Sequence, residues 1–191
     1  RFASPQYAGD AHRVMPSLVV SSMINTGPMM IYGGQELGEP ALDSEGYSGY
    51  DGRTSIFDYF SMPTVRARLN GGRCDGAMPD DIVKLRADYA KVLSLCNSEP
   101  AISDGRFFDL MYANYDNPGV DPHRDYVFMR ADDNDLLLIA VNFGCEDKEM
   151  SINIPRHAFD VLGFPEGRAR MKERLKGGRA VTKELRADKP F

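Results

Sequence analysis

The sequence predicts a chain of two textures, an α/β segment up to about residue 105 and an antiparallel all-β segment after it. Three observations carry that prediction. A helical pattern after Asp10 runs directly into the apolar stretch Met29-Met30-Ile31-Tyr32, which lies between Gly27-Pro28 and Gly33-Gly34. A helix followed by a short, fully apolar strand is the repeating unit of parallel α/β folds. A second, strongly amphipathic helical pattern follows Asp80, and from Arg106 onward short β-rich runs alternate with turn residues, as in a small antiparallel sandwich.

Each element has its own local cause. Asp10 is placed as a helix N-cap, and Val14, Leu18, Val19, Ser22 and Met23 then recur at helical spacing until Gly27-Pro28. Pro16 falls inside this pattern, where its missing N–H kinks the helix or delays its start. Met29–Tyr32 reads as a buried parallel strand with a glycine-rich exit. Residues 38–80 are rich in Gly, Pro, Asp and Tyr with little sustained period, so a long functional loop is expected, with a short helix within Ile56–Arg68. Asp80 or Asp81 then caps a helix whose inner face is Ile82, Leu85, Tyr89, Val92, Leu93 and Cys96. Lys84, Arg86, Asp88 and Lys91 take the outer face, and Asn97 and Pro100 end the helix.

Strands are predicted at Phe107–Tyr112, Tyr126–Arg130, Leu136–Phe143 and Met150–Ile154, with weaker signals at Phe159–Phe164 and Ala180–Leu185. Asp132-Asp133-Asn134-Asp135 reads as a hairpin turn between two of them. The change of texture puts a domain boundary near Asp104-Gly105. Pro190-Phe191 reads as the opening of a further strand, so the sandwich is expected to lack an edge.

The 191 residues carry a net charge of −5. Basic residues are scattered apart from Arg168–Arg179, which reads as solvated surface, and this argues against a nucleic-acid partner. No run approaches the roughly 20 apolar residues of a membrane-spanning helix. Cys74, Cys96 and Cys145 are odd in number and show no C-x-x-C spacing, which disfavours disulfides and zinc, and Cys96 reads as a core thiol. His12, His123 and His157 lie far apart, so no metal pair is expected. Asp132–Asp135 lacks the glycine and the terminal glutamate of a calcium loop. No phosphate-binding glycine loop or nucleophile-elbow serine occurs. The start, Arg1-Phe2-Ala3-Ser4-Pro5, has neither an initiating Met nor an apolar signal region, so the sequence is expected to begin inside a longer protein.

The segment Gly27-Pro28-Met29-Met30-Ile31-Tyr32-Gly33-Gly34-Gln35-Glu36-Leu37-Gly38 resembles the eighth barrel strand of glycoside hydrolase family 13, the α-amylase family. The match rests mainly on Tyr32, Gly34 and Glu36, because Pro28 follows Gly27 directly where the family has an intervening residue. The helix ending in Asn25-Thr26-Gly27 resembles the seventh barrel helix, and Gly52-Arg53-Thr54 resembles a segment of the loop after strand eight. The helix after Asp80 is similar to the eighth barrel helix, and the part from Arg106 to the family's C-terminal sandwich, domain C. The resemblance implies residues 1–105 as the last elements of a (β/α)8 barrel and residues 106–191 as the sandwich.

In such a barrel the chemistry lies at the C-terminal ends of the strands. That places Gln35 and Glu36 on the sugar-facing rim, with Tyr47 and Tyr50 as stacking rings and Asp51 and Arg53 as hydrogen-bonding groups. Arg1 resembles the arginine that closes the family's strand-seven motif. A retaining glycosidase needs two carboxyl groups about 5 Å apart. The family's nucleophilic Asp, acid Glu and stabilising Asp all precede this segment, so the chain is expected to hold no catalytic residue, to need no cofactor, and to hydrolyse nothing alone. Glu36, Glu39, Asp43 and Glu45 form an acidic cluster, read as a strand anchor at Glu36 and solvated loop charges elsewhere. The implied ligand is an α-glucan oligosaccharide or polysaccharide, with transferase or isomerase chemistry as the nearest alternative. The rival from another class is a non-catalytic carbohydrate-binding or packing module. A lone barrel strand leaves its edges unpaired, so domain C, a partner chain or a second copy is expected to cover it.

Overall fold

The computed structural model describes residues 2–4, 8–40 and 62–191. It mixes helices with antiparallel strands, in a three-stranded and a two-stranded sheet. The chain divides into two compact units, Arg1–Leu18 with Met29–Lys91, and Val19–Pro28 with Val92–Phe191.

In the N-terminal half of the chain, where helices α1 (Met15–Met23) and α3 (Asp80–Ser98) each have residues in both units, the Asp10 carboxylate accepts the His12 N–H at 2.9 Å and caps a 3-10 turn at Ala11–Val14, as the sequence led us to expect. Helix α1, Met15–Met23, starts only after that turn. Pro16 sits at its second residue, where no N–H is needed. Helix α2 is Pro63–Leu69, which overlaps the short helix expected within Ile56–Arg68; residues 56–61 lie outside the described residues. Helix α3 spans Asp80–Ser98, and its predicted inner face is buried at Leu85 and Tyr89.

Met29–Tyr32 departs from expectation. Among the described residues Met29–Ile31 pair with no strand, Met30 is 86% exposed, and Tyr32 is exposed too. An extended run becomes a strand only when a neighbour supplies the ladder, and no described residue does so here.

In the second unit, Pro100 opens a further short helix, α4, at Pro100–Ser103. Strands β1 (Arg106–Asp109), β2 (Asp125–Ala131) and β3 (Leu136–Asn142) form an antiparallel sheet in that order. Opposite residues include Phe108 and Met129, and Phe128 and Ile139. Alternation sends Val127, Met129 and Ala131 into a core with Phe108, Ile154 and Leu162. The other face of β2 is buried as well, at Phe128 and Arg130. Arg130 Nε donates to the Ala101 carbonyl at 3.0 Å, and Nη2 donates to those of Ile102 and Gly105 at 2.6 and 2.9 Å. One guanidinium thus satisfies the carbonyls at the end of α4, and burial lowers its pKa from the usual arginine value. The β2–β3 turn is the predicted one, with Asp132 Oδ1 accepting the N–H groups of Asn134 and Asp135 at 2.9 and 2.6 Å.

The remainder corrects the sequence reading in three places. Met150–Ile154 forms no continuous strand; its pairing is a bridge between Asn153 and Pro190, with Ile152 and Phe191 exchanging N–H···O bonds. Pro190-Phe191 is thereby paired with Ile152 and Asn153. The weak strand at Phe159–Phe164 is helix α5, Arg156–Leu162, because Ala158, Phe159 and Leu162 share a buried helical face. Arg168–Arg179 contains part of a strand: β4 (Gly167–Met171) pairs with β5 (Val181–Leu185), while the Arg168 and Arg170 side chains stay exposed as expected of solvated surface.

Candidate functional site

The described part of the expected sugar rim is the stretch from Gly33 to Glu39, in the first unit. The chain turns sharply here, with Gln35 N–H donating to the Tyr32 carbonyl at 2.9 Å, and Leu37 and Glu39 N–H groups both donating to that of Gly34 at 3.0 Å. Gly34 has φ +81, and a Cβ there would lie 2.5 Å from Val65 Cγ2. Both the left-handed backbone and the close approach require glycine. A 3-10 turn over Gln35–Leu37 follows, burying Leu37.

Gln35 and Glu36 leave this turn in different roles. Gln35 Nε2 donates to the Tyr89 hydroxyl at 2.9 Å, which ties the turn to the middle of α3. Burial pushes the Tyr89 phenol above its ordinary pKa; the Gln35 hydrogen bond opposes the shift and the Glu36 charge adds to it. The anchoring expected of Glu36 is thus made by its neighbour Gln35.

Glu39 corrects the sequence reading most sharply. It is 1% exposed, not solvated, and its Oε2 accepts the Thr64 and Val65 N–H groups at 2.8 and 3.1 Å. Those are free donors in the first turn of α2, where a carboxylate also meets the positive end of the helix dipole. A carboxylate so placed caps α2. Its neighbours in sequence gave no signal of this, because the helix it caps begins more than twenty residues later.

Five of the seven predicted substrate contacts, Arg1, Tyr47, Tyr50, Asp51 and Arg53, lie outside the described residues, as do Asp43 and Glu45. Among the described residues no group of three His, Cys, Asp or Glu side chains is placed to hold a metal ion. No described helix is long and apolar enough to cross a membrane. Cys74 and Cys145 are exposed free thiols, and Cys96 is half-buried, its thiol pKa raised by burial.

No protein-family model matches the chain, and no curated protein matches it. In structure the chain is similar to the crystal structure of AmyP in complex with maltose, with a TM-score of 0.53 and 15% sequence identity. The overlay covers 98% of this chain and 35% of AmyP, so the chain spans about a third of the length of the protein it matches. At that identity the likeness is one of fold.

Proposed function

We propose that the chain is the C-terminal part of an α-amylase-type retaining glycoside hydrolase acting on α-linked glucans. The observation that carries this reading is the fold likeness to maltose-bound AmyP over 98% of the chain. The residues Gly27 to Gly38, followed in order by Gly52-Arg53-Thr54, support it independently, because they resemble strand eight and its loop in that family. In this reading residues 1–105 contribute the last barrel elements and residues 106–191 the domain C sandwich. Met29–Tyr32 finds its ladder partners in barrel strands of a longer polypeptide. Arg1, Gln35, Glu36, Tyr47, Tyr50, Asp51 and Arg53 are substrate contacts, Gln35 being held in place by Tyr89. The chain itself supplies contacts and stability, and no catalytic carboxylate.

The test is hydrolysis of maltoheptaose by this chain and by the polypeptide extended at its N-terminus, followed by NMR of the released anomer. We expect no turnover from residues 1–191 and initial release of the α-anomer from the extended protein. A well-folded extended protein that leaves maltoheptaose intact sinks the reading. So does turnover by the 191-residue chain.

A further inference from the structure

We propose that the outward face of the β4–β5 ribbon docks an anionic polysaccharide, an α-linked glucan bearing phosphate monoesters; the choice of polymer rests on the glucan reading above. Residues 166–189 hold nine of the chain's 23 lysines and arginines and four of its 28 acidic residues, in a protein whose net charge is −5. A positive ribbon on an otherwise acidic protein concentrates a polyanion there. Strand pairing fixes which side chains face out. Ala169 packs against the core and Leu185 belongs to it. Side chains alternate across a strand, so Arg168 and Arg170 take the other face, opposite Glu184 and Thr182. The two arginines are about 7 Å apart along the strand.

The glutamates of this segment are already engaged. Glu184 Oε1 accepts from the Arg186 guanidinium at 2.6 Å. Glu166 accepts the Ala187 N–H at 2.8 Å and pairs with Arg156. Glu173 accepts the Leu175 N–H at 2.8 Å and also the Lys176 N–H, which fixes the turn that leaves β4. Arg174 anchors that turn through an ion pair with the buried Glu99 carboxylate, next to α4. Arg168, Arg170, Lys172, Lys176 and Arg179 stay exposed and form no ion pair among the described residues. Their mutual repulsion opposes folding, and an anionic ligand relieves it.

The chemistry of the face selects among polyanions. Its strand residues Arg168, Arg170, Thr182 and Glu184 include no aromatic ring, and single-stranded nucleic acid is held by stacking on such rings. They include no apolar side chain to enter a bilayer either. A guanidinium grips phosphate oxygens through two parallel hydrogen bonds. Thr182, opposite Arg170, adds a neutral hydroxyl suited to a sugar. A glucan that carries phosphate on some of its hydroxyls complements both groups.

Affinity electrophoresis tests the ribbon with amylopectin bearing phosphate monoesters and with the same amylopectin after phosphatase treatment. We expect the 191-residue chain to bind the phosphorylated form roughly tenfold tighter or more at low salt, and the difference to shrink as salt is added. Arg168→Gln/Arg170→Gln should lose the difference with its thermal melt unchanged. In the unaltered chain, the Arg168 and Arg170 Nε–H resonances should shift on NMR titration with a phosphorylated malto-oligosaccharide, a readout that needs no variant. Equal affinity for the two amylopectins overturns the proposal, as does a difference that survives in Arg168→Gln/Arg170→Gln. Binding to phosphatidylserine vesicles with none to phosphorylated amylopectin assigns the ribbon to a membrane and overturns it too. Hydrolysis of maltoheptaose by the extended polypeptide decides the glucan reading separately, so the two can fail independently.

Discussion

Single side chains decide much of the local geometry of this protein, and the most consequential work at a distance. Asn114 reaches Asn153, 39 residues on; Glu39 caps a helix 25 residues away; Arg130 holds a carbonyl 29 residues back. Asp10 and Asp132 differ from these three in acting within two or three residues, and both were legible in the sequence because an Asx cap is a local pattern. Asn114→Ala removes both partners of the Asn153 peptide group at a buried position. We predict a loss of about 2–3 kcal/mol, read as a lower urea midpoint. Asp132 gives a pH-dependent counterpart. Hydrogen bonds from the Asp135 and Asn134 N–H groups hold its pKa below the ordinary carboxylate value. A depressed folded-state pKa means the stabilisation is present above the unfolded value and is lost as pH falls through the folded one. The urea midpoints of the unaltered chain and Asp132→Ala should therefore differ at neutral pH and converge on acidification; a gap that stays constant would rule out the ionised carboxylate as the source.

Among the elements, β2 is the centre of the second unit, since nearly every residue from Asp125 to Ala131 is buried and both its edges are paired. Native-state hydrogen exchange should be slowest at Val127–Met129 and fast at Met29–Ile31, which donate no backbone hydrogen bond among the described residues. Equal protection in the two segments would contradict the description. Helix α5 ends at Gly163, with φ +73 and its N–H on the Phe159 carbonyl. Gly163→Ala forces a side chain into that left-handed position and should cost about 1 kcal/mol by thermal melt. The sequence revealed α3 because its nineteen residues repeat the apolar face several times. It misplaced α5 because seven residues complete barely two turns, and an apolar run that short suits either period. Strand β4 escaped notice because its alternating arginines read as surface, which they also are.

At the scale of the whole molecule, the likeness to AmyP at 15% identity is one of fold, and a fold tolerates wide change of residue identity when volume and apolar patterning are kept. The order of helix, glycine-flanked apolar run, amphipathic helix and β-rich segment was visible in the sequence, while the sheet partners were not. Two sheets of three and two strands are what the described residues form. Asn153 also bridges Pro190 outside both sheets, a pairing that no local pattern encodes. The net charge of −5 at neutral pH falls to zero near pH 5.2. Solubility should pass through a minimum there, with turbidity rising on either approach and receding at higher ionic strength if the association is electrostatic.

The Asn114 amide also has a protective consequence. The residues around Asn153 are engaged on one side by the C-terminal residues, through Asp188 and Phe191. On the other side the Asn114 side chain presents one donor and one acceptor to the Asn153 carbonyl and N–H, as a neighbouring peptide would. A side chain thereby closes an edge on which a foreign strand could otherwise grow. Replacing it with leucine, similar in volume but unable to hydrogen-bond, would leave that edge ready to recruit another molecule. Asn117 and Gly119 still cover the same edge at Ser151, so such a variant should remain folded at low concentration and form thioflavin-positive aggregates only as concentration rises.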